Sequence, residues 1–176
     1  GKPFVKEYFD YLTQVSMNAE FDLPGGRLPE GGILYLEFYK MADSVFTPAV
    51  IAKCRALLDA AADASALDPI AAGRVEFLKN GLKNVELTMA AQAEYRKHRA
   101  GAPIDAFAKA VRELDKFRES IENTNALNMG HIRALEDRHW PLRQSLRLIG
   151  TDTVELNGWK ILFDPNNTGL KEKWHL

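Results

Sequence analysis

The stretch "LDPIAAGRVEFLKNGLKNVELTMAAQAEYRKHRAGAP", residues 67–103, decides the fold. Asp68 followed by Pro69 predicts a helix start, because an Asp side chain caps free backbone N–H groups and proline suits the first turn. Gly101 suits the position just after a helix C-terminus. The sequence therefore predicts one long helix from Pro69 to about Arg99. Its core positions recur at spacings of four, three and four, which is typical of a bundle seam: Leu78, Leu82, Val85 and Met89.

Further helical segments precede and follow this helix. Residues 3–17 repeat apolar side chains with a period of 3.6, which is typical of an amphipathic helix. Thr47 followed by Pro48 predicts another helix start, with Thr47 as the N-cap. A helix is also predicted from about Pro103 to Asn123, and a last one continues towards residue 149. Their predicted core positions are Phe4, Val5, Tyr8, Phe9, Leu12 and Val15; Val50, Cys54, Leu57, Leu58 and Ala61; Ile104, Phe107, Val111, Leu114, Phe117 and Ile121; and Ile132, Leu135, His139, Leu142, Leu146 and Ile149.

Two segments depart from this helical pattern. Residues 18–32, "NAEFDLPGGRLPEGG", contain two prolines and four glycines and are predicted to form a loop, whereas residues 33–41, "ILYLEFYKM", favour a short helix over a strand. After residue 150 the period changes to alternation. Asn157-Gly158 between two apolar runs is a strong hairpin signal.

These elements predict an all-α protein, an antiparallel helical bundle of about five helices with a C-terminal β-hairpin. Residues 1–150 are predicted to be the bundle domain. Residues 151–176 are predicted to be the hairpin and the truncated start of a following β-sandwich module. The sequence contains no internal repeat, so a solenoid is less favoured.

Composition disfavours several classes of function. With 23 basic and 24 acidic residues the net charge is −1, which gives no electrostatic case for a nucleic-acid partner. No apolar run approaches the ~18 residues that a membrane span needs. The single cysteine, Cys54, lies on an apolar stripe and is predicted to be a buried hydrophobe. Phosphate-binding glycine loops, metalloprotease motifs and paired cysteines are absent, so no cofactor or metal is predicted.

The segment "HIRALEDRHWPLRQS", residues 131–145, contains the candidate site. Pro141 predicts a kinked helix, with a break at Trp140 as the alternative. At such a kink Trp140, His139 and Arg138 could bind a sugar, because apolar sugar faces stack on aromatic rings. The favoured alternative is that Trp140 fills the core and the surrounding charges are solvated. His131 and His139 are over two turns apart, too far to share a metal ion.

Neighbouring carboxylates could in principle form an acid–base pair. Glu113 with Asp115, and Glu136 with Asp137, lie on predicted helices with basic neighbours. Solvated surface ion pairs are the favoured interpretation. No catalytic residue is predicted in this chain.

The C-terminal stretch "NGWKILFDPNNTGLKEKW" resembles the entry into the galactose-binding-like jelly roll of glycoside hydrolases. The resemblance covers about 18 residues. Its matching positions are Trp159, Phe163, Asp164, Pro165, Gly169 and Trp174. Only the first strand and its following loop are covered, so no sugar-binding face can be assigned.

The preceding part resembles an uncharacterised helical domain of multidomain carbohydrate-active proteins, in which a glucuronidase-like or hexosaminidase-like (β/α)8 barrel comes first. The resemblance covers roughly residues 2–100 and is carried by "GKPFVKEYFDYL", "YKMADSVFTPAVIAKCRALLDAAADA" and "DPIAAGRVEFLKNGL". It implies a piece of a larger, secreted or periplasmic protein, with neighbouring domains and carbohydrate as partners and catalytic acids upstream. The function expected is a non-catalytic accessory domain. The alternatives are a stand-alone helical interaction module and an enzyme with its site at Pro141.

Overall fold

The computed structural model describes residues 1–18, 42, 45–124, 128–140, 142–143, 155–156 and 159–160. This part of the chain is mainly helical, which confirms the all-α prediction. The helices are α1 (Lys2–Asn18), α2 (Pro48–Ser65), α3 (Pro69–Arg99), α4 (Ile104–Glu122) and α5 (Met129–His139). Each packs against the next along the chain.

Contacts between consecutive helices show that they run antiparallel. Between α2 and α3, Arg55 pairs with Glu86 whereas Asp59 pairs with Lys79, so the numbers rise on one helix as they fall on the other. Between α3 and α4, Tyr95 contacts Phe107 and Asn84 bonds Arg118. The helical bundle is therefore confirmed, and its predicted antiparallel arrangement is confirmed for α2 with α3 and for α3 with α4.

The helix boundaries follow local signals in the sequence. Thr47 caps α2 by accepting a hydrogen bond from the Val50 N–H at 3.3 Å. Asp68 caps α3 by accepting bonds from the N–H groups of Ile70 and Ala71 at 3.0 and 3.1 Å. After α3, Gly101 adopts a φ of 103°, in the left-handed region that favours glycine. These three predicted boundaries are confirmed.

Helix α3 is shared by two hydrophobic clusters. Its 31 residues span about 46 Å at 1.5 Å per residue. The first cluster lies between α1, α2 and the N-terminal half of α3, and comprises Tyr8, Val50, Cys54, Leu57, Leu58 and Leu82. The second lies between the C-terminal half of α3, α4 and the residues after α5, and comprises Ala91, Phe107, Ala108, Val111, Leu114, Trp140 and Leu142.

Burial follows most of the predicted core positions, with one exception on α1. All five positions predicted on α2 are buried, and Leu82 is the buried member of the predicted α3 seam. Leu78, Val85 and Met89 are half-buried. Phe9 was predicted to be core, but half of it (51%) is exposed, so that prediction is wrong.

The predicted kinked helix through Pro141 is also wrong, and the alternative break is observed. Helix α5 ends at His139, and Trp140 has φ −103° and ψ 107°, an extended conformation. A residue before proline is pushed out of the α region by the proline ring, which explains the break. Helical backbone resumes at residues 142 and 143, where the Arg143 N–H donates to the Trp140 carbonyl at 3.0 Å.

Near the C-terminus two short strands pair antiparallel. They are β1 (Glu155–Leu156) and β2 (Trp159–Lys160), with Leu156 opposite Trp159. The turn between them and the residues after Lys160 lie outside the described residues, so the predicted β-hairpin and β-sandwich start stay predictions. The loop predicted after Asn18 and the short helix at 33–41 also lie outside them, as do residues 144–150.

Candidate functional site

Four charged side chains converge between α4, α5 and the segment after Trp140. They are Asp115 and Arg118 on α4, Glu136 on α5, and Arg143, and they are called the buried charge network here. Arg118 and Glu136 are 2% and 0% exposed, and Asp115 and Arg143 are largely buried. Their formal charges sum to zero.

Glu136 is the centre of this network. Arg118 binds it with two parallel bonds, from Nη1 to Oε2 at 2.9 Å and from Nη2 to Oε1 at 2.8 Å. Arg143 donates from Nε to the same Oε2 at 3.0 Å. Both oxygens of a fully buried carboxylate are therefore satisfied by guanidinium groups, the geometry in which such pairs are strongest.

Each guanidinium has a further acceptor. Arg118 Nε donates to Asn84 Oδ1 on α3 at 2.8 Å. Arg143 bonds both oxygens of Asp115, with a distance of 2.8 Å from Nη1 to Oδ2. The network thus ties α3, α4, α5 and the segment after Trp140 together.

The electrostatics of Arg143 follow from these contacts. Burial acts to lower the pKa of its guanidinium, but hydrogen bonds and charge from Asp115 and Glu136 outweigh it. The pKa therefore lies above the usual range for arginine, and Arg143 stays charged wherever the protein is folded. A permanently charged, fully paired group is suited to holding structure, because it cannot give up a proton.

The prediction that these carboxylates form solvated surface pairs is wrong for Glu136 and Asp115. A signal for the burial of Arg118 and Glu136 was present in the sequence. Arg118 follows Leu114 by four residues and Val111 by seven, so it lies on the apolar stripe of α4. Glu136 follows Ile132 by four residues and lies on the corresponding stripe of α5. One opposite charge on each of two facing stripes indicates a buried pair.

Trp140, the centre of the predicted sugar site, lies inside the second hydrophobic cluster. It is 1% exposed, and its Nε1 donates to Gln92 Oε1 on α3 at 3.0 Å. The Arg143 Cζ lies 6.0 Å from the indole centroid. Sugar stacking on Trp140 would require this cluster to open. The side chains of Arg138 and His139 lie outside the described residues, so their predicted substrate-binding role stays a prediction.

Other reactive groups in the described part of the chain are dispersed. Cys54 is fully buried, and burial raises the pKa of its thiol, which disfavours the reactive thiolate in the folded protein. Among the described residues no group of three or more His, Cys, Asp or Glu side chains could hold a metal ion. His98 stacks on Phe107, with ring centroids 5.9 Å apart.

A second feature is an apolar groove on the outer side of α1 and α3. Its most exposed large side chains are Phe9 at 51%, Ile70 at 70% and Phe77 at 57%. The full lining is Val5, Phe9, Pro69, Ile70, Gly73, Arg74, Phe77 and Leu78. Arg74 is its one charged lining residue. This set of residues is called the α1/α3 groove below.

Comparisons with known proteins add no relative. No protein-family model, curated protein or solved structure matches this chain. Within the described residues, no helix is both long and apolar enough to cross a bilayer.

Proposed function

We propose that this chain is a non-catalytic helical packing domain, the accessory part of a carbohydrate-active protein. Its role is to brace a catalytic barrel and to space a sugar-binding module. The single observation that carries the packing role is the exposed α1/α3 groove, because contiguous apolar surface of this kind typically marks an interaction site.

The buried charge network supports the same role. Its ionised groups bond one another and Asn84, and Arg118 and Glu136 are removed from solvent. Acid–base catalysis needs a group that reaches the substrate and exchanges a proton. Glu136, held by two arginines, is arranged to fix three helices instead.

The carbohydrate link has a separate basis. It rests on the resemblance of residues 2–100 to helical domains that follow (β/α)8 barrels, and on the jelly-roll-like stretch from Asn157 onwards. The alternative is a stand-alone helical interaction module, which the α1/α3 groove also suits. The accessory-domain proposal and the stand-alone alternative differ in whether other domains flank this one in the complete protein.

Reading the complete coding sequence tests the carbohydrate link. We expect a barrel domain before residue 1 and a jelly roll that includes residues 151–176. A coding sequence with neither would overturn the link and leave the stand-alone module.

Assays on the purified chain test the non-catalytic role. We expect no hydrolysis of a panel of aryl glycosides above the buffer rate. Glycosidases need paired carboxylates about 5–9.5 Å apart beside the substrate, and Glu136 and Asp115 are instead bound by arginines. Turnover that Glu136→Gln abolishes, in a variant that still folds, would contradict the proposal.

A further inference from the structure

The α1/α3 groove and the site that receives α4 are two parts of one stripe on α3. Asn84, Thr88, Ala91 and Tyr95 lie on the face of α3 that packs against α4 and the residues after α5. The same face continues towards the N-terminus through Phe77, Gly73 and Ile70. Phe77 lies seven residues before Asn84, Gly73 four before Phe77, and Ile70 three before Gly73, which are helical spacings. Since α4 runs antiparallel to α3 and Arg118 already bonds Asn84, α4 ends before it reaches Phe77. Among the residues that the structure describes, the face is thus covered in its C-terminal half and open in its N-terminal half.

The two halves also repeat one pattern of side chains. Ile70, Gly73 and Phe77 are β-branched, small and aromatic. Eighteen residues later, Thr88, Ala91 and Tyr95 are again β-branched, small and aromatic. Eighteen residues are five helical turns, so the two triads point in the same direction.

The C-terminal triad shows what such a pattern accepts. Thr88 and Ala91 are buried, and the Phe107 ring of α4 lies 5.4 Å from the Tyr95 ring. Phe107, Val111 and Leu114 of α4 form the apolar face that covers this half of α3. The small residue lets the incoming helix approach, and the aromatic residue gives it a ring to pack against.

We propose that the α1/α3 groove binds an amphipathic α-helix of the α4 type, with an aromatic residue followed by apolar residues four and seven positions later. Gly73 provides the notch, since a Cβ there would meet nothing within 4 Å. Val5 and Phe9 of α1 form one wall of the groove. The helix gives the N-terminal half of α3 the cover that α4 gives the C-terminal half.

Charge defines one further property of this partner. Arg74 lines the groove eighteen residues before Gln92, which accepts the Trp140 indole N–H. Arginine only donates hydrogen bonds, so the bound helix presents a carboxylate or another acceptor at this position. The inference deepens the packing role proposed above and does not depend on its carbohydrate link.

The test is a fluorescence anisotropy titration of the purified full chain into a labelled synthetic peptide of residues 104–122, "IDAFAKAVRELDKFRESIE". This peptide has the required face, and its Phe107→Ala version is the control peptide. We expect saturable binding below about 1 mM, weakened at least tenfold by Phe107→Ala in the peptide.

Two substitutions in the chain locate the binding. Phe77→Asp removes the aromatic ring from the groove. Leu67→Asp is its matched control, because Leu67 is fully exposed and lies outside the groove. We expect a loss of at least tenfold for the first and no change for the second. Gly73→Leu fills the notch while replacing glycine by a good helix former, so it should raise the melting temperature and still weaken binding.

Several results would overturn the inference. They are a peptide that does not bind, binding that Phe77→Asp and Leu67→Asp weaken equally, and binding that Gly73→Leu leaves unchanged. A chain that is dimeric alone and becomes monomeric on Phe77→Asp would also overturn it, since a second copy would then fill the groove. None of these outcomes bears on the coding-sequence test of the carbohydrate link, so the two proposals fail separately.

Discussion

At the scale of single residues, Glu136 is the side chain on which most of the ionic packing depends. Its carboxylate is fully buried and compensates two guanidinium groups on different segments. Burying ions is costly, and a buried network is not in itself a source of stability. Removing a single member of the network nevertheless lowers the free energy of unfolding strongly, because the remaining charges stay buried without a partner.

Replacing Glu136 by Ala should therefore cost about 3–5 kcal/mol of unfolding free energy, measured by urea denaturation. The matched control is Glu119→Ala, which breaks the solvent-exposed pair with Arg133 and should cost about 0–1 kcal/mol. If the two substitutions cost the same, the network is not buried as described.

Cys54 provides a second prediction at this scale. Because the thiol is fully buried and its pKa is raised by burial, native protein should react with a disulfide-exchange thiol reagent at least ~100-fold more slowly than unfolded protein. A raised folded-state pKa means that ionisation favours the unfolded chain. Below about pH 8.5 the thiol is protonated in both states, and its contribution to the free energy of unfolding is fully present. As the pH rises through the folded-state pKa, the unfolded chain ionises first and this contribution is lost. Rapid labelling of the native chain at pH 7 would show that the first hydrophobic cluster is open.

At the scale of helices, the sequence predicts the boundaries that depend on residues close together in the chain. The starts of α2 and α3 and the end of α3 follow from Thr47, Asp68 and Gly101, whose capping chemistry acts within one turn. The break at Trp140 is the alternative and not the favoured prediction, because heptad spacing across Pro141 favours a continuous helix whereas the constraint that proline places on the preceding residue favours a break. The apolar stripes place Arg118 and Glu136 on buried helix faces, but the geometry of the network depends on contacts between separate helices, and Asn84 is 34 residues from Arg118.

Glycine substitutions test the helix boundaries directly. Gly101→Ala should destabilise the protein by about 1–2 kcal/mol, because its φ of 103° is costly for a residue with a Cβ. Gly81→Ala, inside α3 and with open space around the added Cβ, should instead stabilise it by about 0.5–1 kcal/mol. Thermal melting measures both. The melting temperature should fall for Gly101→Ala and rise for Gly81→Ala. Equal shifts in melting temperature would place Gly101 in an ordinary helical conformation.

At the scale of the whole molecule, α3 is the element that unites the domain. Its N-terminal half packs with α1 and α2, and its C-terminal half packs with α4 and the residues after α5. Because Leu82 belongs to one cluster and Ala91 to the other, a single helix couples both. The chain should therefore melt as one cooperative unit despite its two clusters.

We propose that residues 1–150 form a self-contained helical packing domain and that residues 151–176 belong to a separate module. The most direct test of this proposal compares the full chain with a chain ending at residue 150 by circular dichroism during thermal melting. The shorter chain should keep the helical signal of α1 to α5 and a single cooperative transition, with a midpoint within about 4 °C of the full chain. A shorter chain that loses its helical signal or melts without a cooperative transition would make the C-terminal residues part of the core and contradict the account.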